Sequence, residues 1–124
     1  MKNRLQSIIE KINDLEYFIQ QKNGKIMLAL EDRILKPAIR MQIISIAEQF
    51  NKLKDENEFE ILSQIDKIDL KGLNAVRNFI AHDYDSVDDE ILETVLRVHI
   101  PKIKLQIEKM ISKTRQGFNL ASEE

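Results

Sequence analysis

Apolar residues recur at three- and four-residue steps along almost the whole chain, and this spacing constrains the fold more than any other feature. Leu5, Ile8, Ile12 and Leu15 follow it in the first segment, and the same pattern returns in later segments as far as Ile111. This period places apolar side chains on one face of a helix, whereas strands alternate at every second residue. No segment shows convincing strand alternation, so the pattern predicts an all-α protein.

The composition fits one helical domain. The 124 residues include 43% hydrophobic side chains, which is enough for a core, and only three glycines and two prolines, too few for the many turns of a β-sandwich or barrel. We therefore predict an antiparallel bundle of four or five helices in a single domain at residues 1–113, followed by a polar tail at 114–124. The absence of cysteine excludes a disulfide scaffold, a thiolate zinc site and a cysteine nucleophile. No metal-ligand spacing stands out, and we expect neither a metal nor a cofactor.

Local signals divide the first half of the chain. The first helix should end at the Asn-Gly pair at 23–24, which favours a left-handed turn. A second apolar stripe over residues 28–53 continues in phase past Pro37, which predicts either one kinked helix or two helices, the second beginning at the proline. The polar segment 52–58 is the best loop candidate, and residues 59–68 should form a short helix.

The second half contains two further helices. The apolar stripe over residues 70–80 predicts a helix that ends in the polar stretch 81–85. Ser86 and Asp89 have the spacing of a capping box for the last helix. Pro101 should bend that helix, and we expect the polar tail to be frayed.

Charge is nearly balanced overall, with a formal net charge of −2, so no overall field attracts nucleic acid. It is uneven along the chain, because residues 82–93 are acidic and residues 97–115 are mainly basic. These runs either match the helix dipole or provide a local basic surface for phosphates. The N-terminus lacks the apolar stretch of a signal peptide and no apolar run approaches bilayer length, so we expect a soluble, cytoplasmic protein without a membrane partner.

One short segment contains the side chains most suited to chemistry. Arg77, Asn78, His82 and Tyr84 place a permanent cation, an amide, an imidazole and a phenol within eight residues. The spacing Arg-x-x-x-x-His-x-Tyr arises by chance in roughly one such chain in several hundred. Any imidazole chemistry would use His82, because we expect His99 to be a packing or surface residue.

With this spacing, the chain resembles the HepT-like toxins, which belong to the HEPN-domain proteins and share the Arg-x-x-x-x-His-x-Tyr signature. Further similarity is found at residues 43–48, 87–88 and 100–103. The resemblance extends over roughly residues 5–112 and implies a small, usually dimeric helical bundle. It also implies a metal-independent endoribonuclease acting on RNA, encoded beside a minimal nucleotidyltransferase antitoxin.

The resemblance gives each motif residue a role. Arg77 stabilises the negatively charged phosphorane, His82 acts as general acid or base, and Asn78 assists. Tyr84 positions the substrate and accepts AMP from the nucleotidyltransferase, which silences the toxin. The residue types fit this reaction, because an imidazole exchanges protons near neutral pH and a guanidinium matches phosphate oxygens in a two-pronged way. Glu48 follows an apolar run, so we expect it to be partly buried and to orient the guanidinium of Arg77.

Geometry points to two chains or a broken helix. On one continuous helix, Arg77 and His82 lie about 140° apart and do not face the same phosphate. The helix must therefore break near Ala81, or the site draws groups from two chains. One histidine cannot easily be both base and acid in the same step, and a twofold homodimer supplies two. We predict a composite site at a dimer interface, where the basic half or the second subunit must offset the acidic run beside His82.

Two other functions fit the same sequence. The first is a non-catalytic helical subunit that binds a nucleotidyltransferase. The second is a plain helical interaction protein that retains the motif for dimer packing.

Overall fold

The computed structural model describes the backbone of residues 3–82 and 88–123, and the side chains of residues 3–82 and 88–114. Every regular element in these ranges is helical, which confirms the all-α prediction. A π-helical turn at Val95–His99 joins the last two helices without a break. In chain order the helices are α1 (Arg4–Gln20), α2 (Ile26–Glu31), α3 (Leu35–Asp55), α4 (Phe59–Ser63), α5 (Lys67–His82), α6 (Asp89–Thr94) and α7 (Ile100–Glu123).

Four long segments form the bundle: α1, α3, α5 and the continuous α6–α7 segment, with α2 and α4 as short connecting helices. Arg4 near the start of α1 bonds to Gln49 in the second half of α3, and Gln42 in the first half of α3 reaches the carbonyl of Lys11, so α1 and α3 run antiparallel. Burying one large aliphatic side chain contributes about 1.5–3 kcal/mol. The fully buried large side chains are Ile8, Ile12, Leu15, Leu30, Ile39, Ile43, Ile46, Leu73, Ile80, Leu92, Ile103 and Ile107.

Both ends of α1 follow from local side chains. The Asn3 side chain accepts a hydrogen bond of 2.8 Å from the Gln6 N–H and caps the first turn. The helix ends at Gln20, and Asn23 and Gly24 then adopt left-handed conformations with φ of 57° and 80°. Glycine has no Cβ to oppose that conformation, and asparagine tolerates it. The predicted stop at this pair is therefore correct.

The second apolar stripe forms two helices that are separated at Asp32. Its Oδ1 accepts hydrogen bonds from the backbone N–H of Leu35 at 2.9 Å and of Ile34 at 2.8 Å. These two N–H groups, Leu35 first, lower the pKa of the Asp32 carboxyl below its ordinary value. The two-helix alternative is thus correct, but α3 begins at Leu35, two residues before Pro37. The proline occupies the first turn, where its missing N–H has no intrahelical partner to lose.

The loop after α3 is shorter than predicted. We expected it over residues 52–58, but α3 continues to Asp55 and only residues 56–58 connect it to α4. Leu53 is 2% exposed, so its burial in the core holds the last turn in place. Asn57 then reverses the chain with a φ of 60°. Tertiary packing here overrides a polar local sequence.

The N-cap of the last helix lies two residues after Ser86, the predicted cap. The N-cap is Asp88, whose Oδ1 accepts a 2.8 Å hydrogen bond from the Glu90 N–H. Ser86, the predicted cap, lies outside the described residues. The π-helical turn at Val95–His99 ends two residues before Pro101. Proline has no N–H to donate to the preceding turn. The change from α-helical to π-helical hydrogen bonding therefore lies next to the proline at which the sequence predicted a bend.

The polar tail is helical. We expected fraying beyond Thr114, but the backbone of α7 stays helical to Glu123, so that prediction is wrong. Once a helix is nucleated, each further residue adds a hydrogen bond, and α7 is already nucleated by its buried first half. Although α7 has 24 residues, neither it nor any other helix in the described ranges is apolar enough over a sufficient length to cross a bilayer.

Candidate active site

The packing of α5 determines which motif residues reach solvent. Leu73, Val76 and Ile80 are buried at three- and four-residue steps, on the side of α5 that packs against α3 and the π-helical turn. This fixes the rotation of the helix and leaves Asn78 and His82 exposed. Because four residues separate them, these two side chains lie one above the other on the same face. The structure therefore brings the amide and the imidazole together.

A shallow groove of about 380 Å³ lies on this face and is lined by Ala75, Asn78, Phe79 and His82. Phe79 is 51% exposed although it is a large apolar side chain. The small side chain of Ala75 leaves the groove open. An exposed phenyl ring beside an amide and an imidazole suits either a stacked nucleobase or a second protein surface.

Arg77 lies at the edge of this face and is half-buried. Its Nη1 donates to Asn78 Oδ1 over 3.3 Å. Its Nε is buried and has no hydrogen-bond partner among the described residues. The guanidinium is thus anchored to the motif amide but keeps donor capacity for an anion such as phosphate.

The helix is continuous through the motif. α5 extends through Ala81 to His82, so the alternative in which it breaks near Ala81 is wrong. On this unbroken helix, Arg77 and His82 lie about 140° apart around the axis. Within one chain the guanidinium and the imidazole therefore point in different directions, and the two-chain site stays a prediction.

The other two predicted site residues do not join this cluster. Tyr84 lies outside the described residues. Glu48 is exposed on α3, so the prediction that it is partly buried is wrong, and no bond links it to Arg77. Glu48 follows the fully buried Ala47 by one residue, which rotates it about 100° away from the core.

The described part of the acidic run is largely engaged in local contacts. Lys36 Nζ lies 3.0 Å from Asp89 Oδ1, and Arg97 pairs with Glu93 one turn away. Asp88 is occupied as the N-cap of α6. These contacts reduce the repulsion that the run would exert on phosphate. Within the described residues, no group of three or more His, Asp or Glu side chains is arranged to hold a metal ion.

The structure also shows a buried pair that the sequence reasoning did not identify. His99 Nδ1 lies 2.8 Å from Asp69 Oδ1, and the Asp69 side chain is 1% exposed. The imidazole packs directly on the backbone of Gly72, where an added Cβ would lie 2.6 Å from the ring. The prediction that His99 is a packing or surface residue is therefore correct. The signal for its partner was a glycine inside a helix, where glycine costs about 1 kcal/mol relative to alanine.

Comparison with protein families agrees with the motif. A family model described as "Ribonuclease HepT-like" matches residues 5–110. This span runs from the second residue of α1 into the first half of α7 and includes all four motif residues. Comparison with curated proteins and with solved structures gave no match.

Proposed function

Because the chain belongs to the HepT-like ribonuclease family, we propose that it is a metal-independent endoribonuclease that uses the motif at the end of α5. The single observation that supports this most strongly is the exposed face of Asn78 and His82, with Arg77 bonded to the amide at its edge. An exposed imidazole and an anchored guanidinium on one helix end are the groups that RNA cleavage without a metal requires.

The roles follow from the chemistry of cleavage. The 2′-hydroxyl must lose a proton, the phosphorane must be stabilised and the leaving 5′-oxygen must gain a proton. His82 exchanges the protons, because an imidazole both accepts and donates near neutral pH. Arg77 binds the phosphorane oxygens through its free N–H groups, and Asn78 holds the guanidinium in place while donating its own amide N–H groups.

A second copy of the chain completes the site. Ile68, Ala75 and Phe79 form an apolar strip on α5 beside the motif, with Ile68 72% and Phe79 51% exposed. Burying this strip against a twofold-related copy would bring two His82 side chains to one cleft. One imidazole then acts as base and the other as acid.

Tyr84 is the proposed point of control. We propose that a minimal nucleotidyltransferase, the antitoxin of a two-gene toxin–antitoxin pair, transfers AMP to its phenol. The support is the position of Tyr84 two residues after His82, so that a bulky anionic group there would obstruct the cleft sterically and electrostatically. Mass spectrometry after incubation with the neighbouring nucleotidyltransferase and ATP should find AMP on Tyr84. Modification at other residues alone would contradict this assignment.

Cleavage itself is tested with mixed-sequence RNA in the presence of EDTA. The unmodified protein should cut the RNA, His82→Ala should lose the activity, and Lys52→Ala, at an exposed lysine on α3, should retain it. Equal cutting by unmodified protein and His82→Ala would show contamination by another nuclease. No cutting by either, together with tight binding to the nucleotidyltransferase, would favour the non-catalytic binding subunit. RNA cleavage that occurs without EDTA but is lost when EDTA is added would contradict metal independence.

A further inference from the structure

The outward face of α5 contains an uninterrupted row of exposed polar side chains: Lys67, Lys71, Asn74, Asn78 and His82. They follow each other at steps of four, three, four and four residues. At 100° per residue, all five fall within a strip about 80° wide, opposite the buried side of the helix. At a rise of 1.5 Å per residue, the strip is about 22 Å long. It ends at the proposed catalytic imidazole.

The two lysines of this strip are not neutralised. Neither Lys67 nor Lys71 forms an ion pair with any described residue, whereas Lys36 and Lys104 each pair with a carboxylate. Lys67 also occupies the first turn of α5, where the helix dipole disfavours a positive charge. Two unpaired ammonium groups on one face, one of them at an unfavourable position, indicate a surface that meets an anionic partner.

A second basic surface adjoins the start of the strip. Gln64, Gln106, Lys109 and Lys113 line a groove of about 340 Å³ between the α4–α5 connection and α7. Gln106 Oε1 accepts a 3.0 Å hydrogen bond from the Asp66 N–H, so the groove lies directly beside the first turn of α5. Lys109 and Lys113 also form no ion pair within the described residues. The groove and the strip together contain four unpaired lysines.

We infer that this groove and the α5 strip form one track for the backbone of a single RNA strand, which delivers the scissile phosphate to His82. This inference rests on the proposed ribonuclease function. Lys109 and Lys113 bind phosphates at the entrance, Lys67 and Lys71 bind those that follow, and Asn74 and Asn78 donate hydrogen bonds to phosphate or ribose oxygens.

The shape of the track selects the class of substrate. A row along a single helix matches one line of phosphates, whereas duplex RNA is bound across successive grooves by a broader surface. The strip residues Lys67 to Asn78 include no aromatic side chain, so base stacking contributes only near Phe79, at the catalytic end. The track therefore binds single strands with little preference for base sequence.

The test measures binding without cleavage. All variants are made in a His82→Ala background, and the affinity for a fluorescent, mixed-sequence single-stranded RNA is measured over a range of KCl concentrations. Each phosphate contact on a single strand contributes about −0.7 to the slope of log affinity against log salt. In the double variant Lys67→Gln/Lys71→Gln, the slope should therefore be less steep by about 1.4 than in the His82→Ala parent. This variant should bind the RNA roughly 25-fold more weakly at 0.1 M salt. The charge-matched control is Lys52→Gln/Lys54→Gln, at exposed lysines at the end of α3, and it should bind unchanged.

Each outcome has a defined meaning. Unchanged slope and affinity in the α5 double variant would overturn the track and leave the ribonuclease proposal intact. The same holds if the Lys52→Gln/Lys54→Gln control loses as much RNA affinity as the α5 double variant. Absence of RNA binding, or tighter binding of duplex than of single strands, would also overturn the track. If the track variant loses binding but the protein with intact His82 does not cut RNA, the track stands and the ribonuclease proposal fails. If the intact protein cuts, the Lys67→Gln/Lys71→Gln change should raise KM and leave kcat nearly unchanged.

Discussion

Replacing Gly72 by alanine sets two effects of opposite sign against each other. Alanine is the better helix former by about 1 kcal/mol, so the helix alone would gain stability. The new Cβ, however, would lie 2.6 Å from His99 Cδ2 and 2.7 Å from Nε2, closer than non-bonded atoms approach. The ring cannot yield freely, because its Nδ1 is held 2.8 Å from Asp69, which is 1% exposed. Displacing the ring breaks a buried pair, which costs about 3–5 kcal/mol when one charged partner is left alone.

The net effect of Gly72→Ala is therefore a loss of about 2–4 kcal/mol in the free energy of unfolding. A domain of this size is stable by about 5–15 kcal/mol, so the variant should still fold, with an earlier midpoint in urea. The control is the same substitution in an Asp69→Ala/His99→Ala background, where neither the ring nor the buried carboxylate remains. There Gly72→Ala should stabilise the protein by about 1 kcal/mol. If Gly72→Ala alone is as stable as the unmodified protein, the steric reasoning is refuted. If Gly72→Ala destabilises the protein equally with and without the Asp69→Ala/His99→Ala changes, the role of the Asp69–His99 pair is refuted.

Four further outcomes are expected. Because backbone N–H groups at the start of α3 lower the pKa of Asp32, its contribution to stability is present above its unfolded pKa of about 3.9 and lost as the pH falls through the folded value. The stability difference between the unmodified protein and Asp32→Asn should thus be constant above about pH 5 and shrink below about pH 4 in urea titrations. Ile43→Ala, at a fully buried position, should cost about 2–5 kcal/mol in urea unfolding, whereas Met41→Ala, at a 58% exposed position, should cost less than about 0.5. Arg77→Lys should leave the circular dichroism spectrum unchanged and lower kcat/KM for RNA by about 10²-fold or more, because lysine cannot make the two-pronged phosphate contact. Phe79→Asp should give a monomer in sedimentation velocity without RNA cleavage, and a monomer with full activity would contradict the composite site.

The fold was predictable from the sequence wherever burial determines it. The spacing of apolar residues predicted the long helices and the faces that they bury, because an amphipathic helix packs its apolar face against the core. The helix ends were less predictable, because they depend on particular bonds and distant contacts. Asp32, not Pro37, begins α3 by accepting two backbone N–H groups. Leu53 extends α3 through a polar stretch, because its partners in the core lie elsewhere in the sequence.

The candidate site was predictable to the extent that its residues share one helix. The positions of Asn78 and His82 on one face, and of Arg77 away from it, follow directly from 100° per residue. The partial burial predicted for Glu48 was wrong. Glu48 follows the buried Ala47 by one residue, and the same rotation of 100° turns its side chain away from the core. The Asp69–His99 pair joins two elements thirty residues apart, so the glycine at position 72 indicates a close contact on α5 but does not identify the two residues that form the pair.

The size of a stable interface shows that the apolar strip of Ile68, Ala75 and Phe79 is only part of the proposed dimer contact. This strip is about 16 Å long, and on a helix about 10–12 Å wide it offers roughly 180 Å². A stable interface buries about 800 Å² on each partner, so neighbouring surface must be included. On the far side of Ala75 lies a groove of about 380 Å³ whose lining includes Ile91 and Val95 of the α6–α7 segment. The proposed interface must therefore extend across Ala75 onto this groove, whose lining also includes Asp88, Glu90 and Thr94, because extension in the other direction would cover the lysines of the track. An interface on the α6 side leaves the lysines of each polar strip open to RNA and meets that strip at its His82 end, so the proposed catalytic site lies where the dimer face and the RNA face of α5 join.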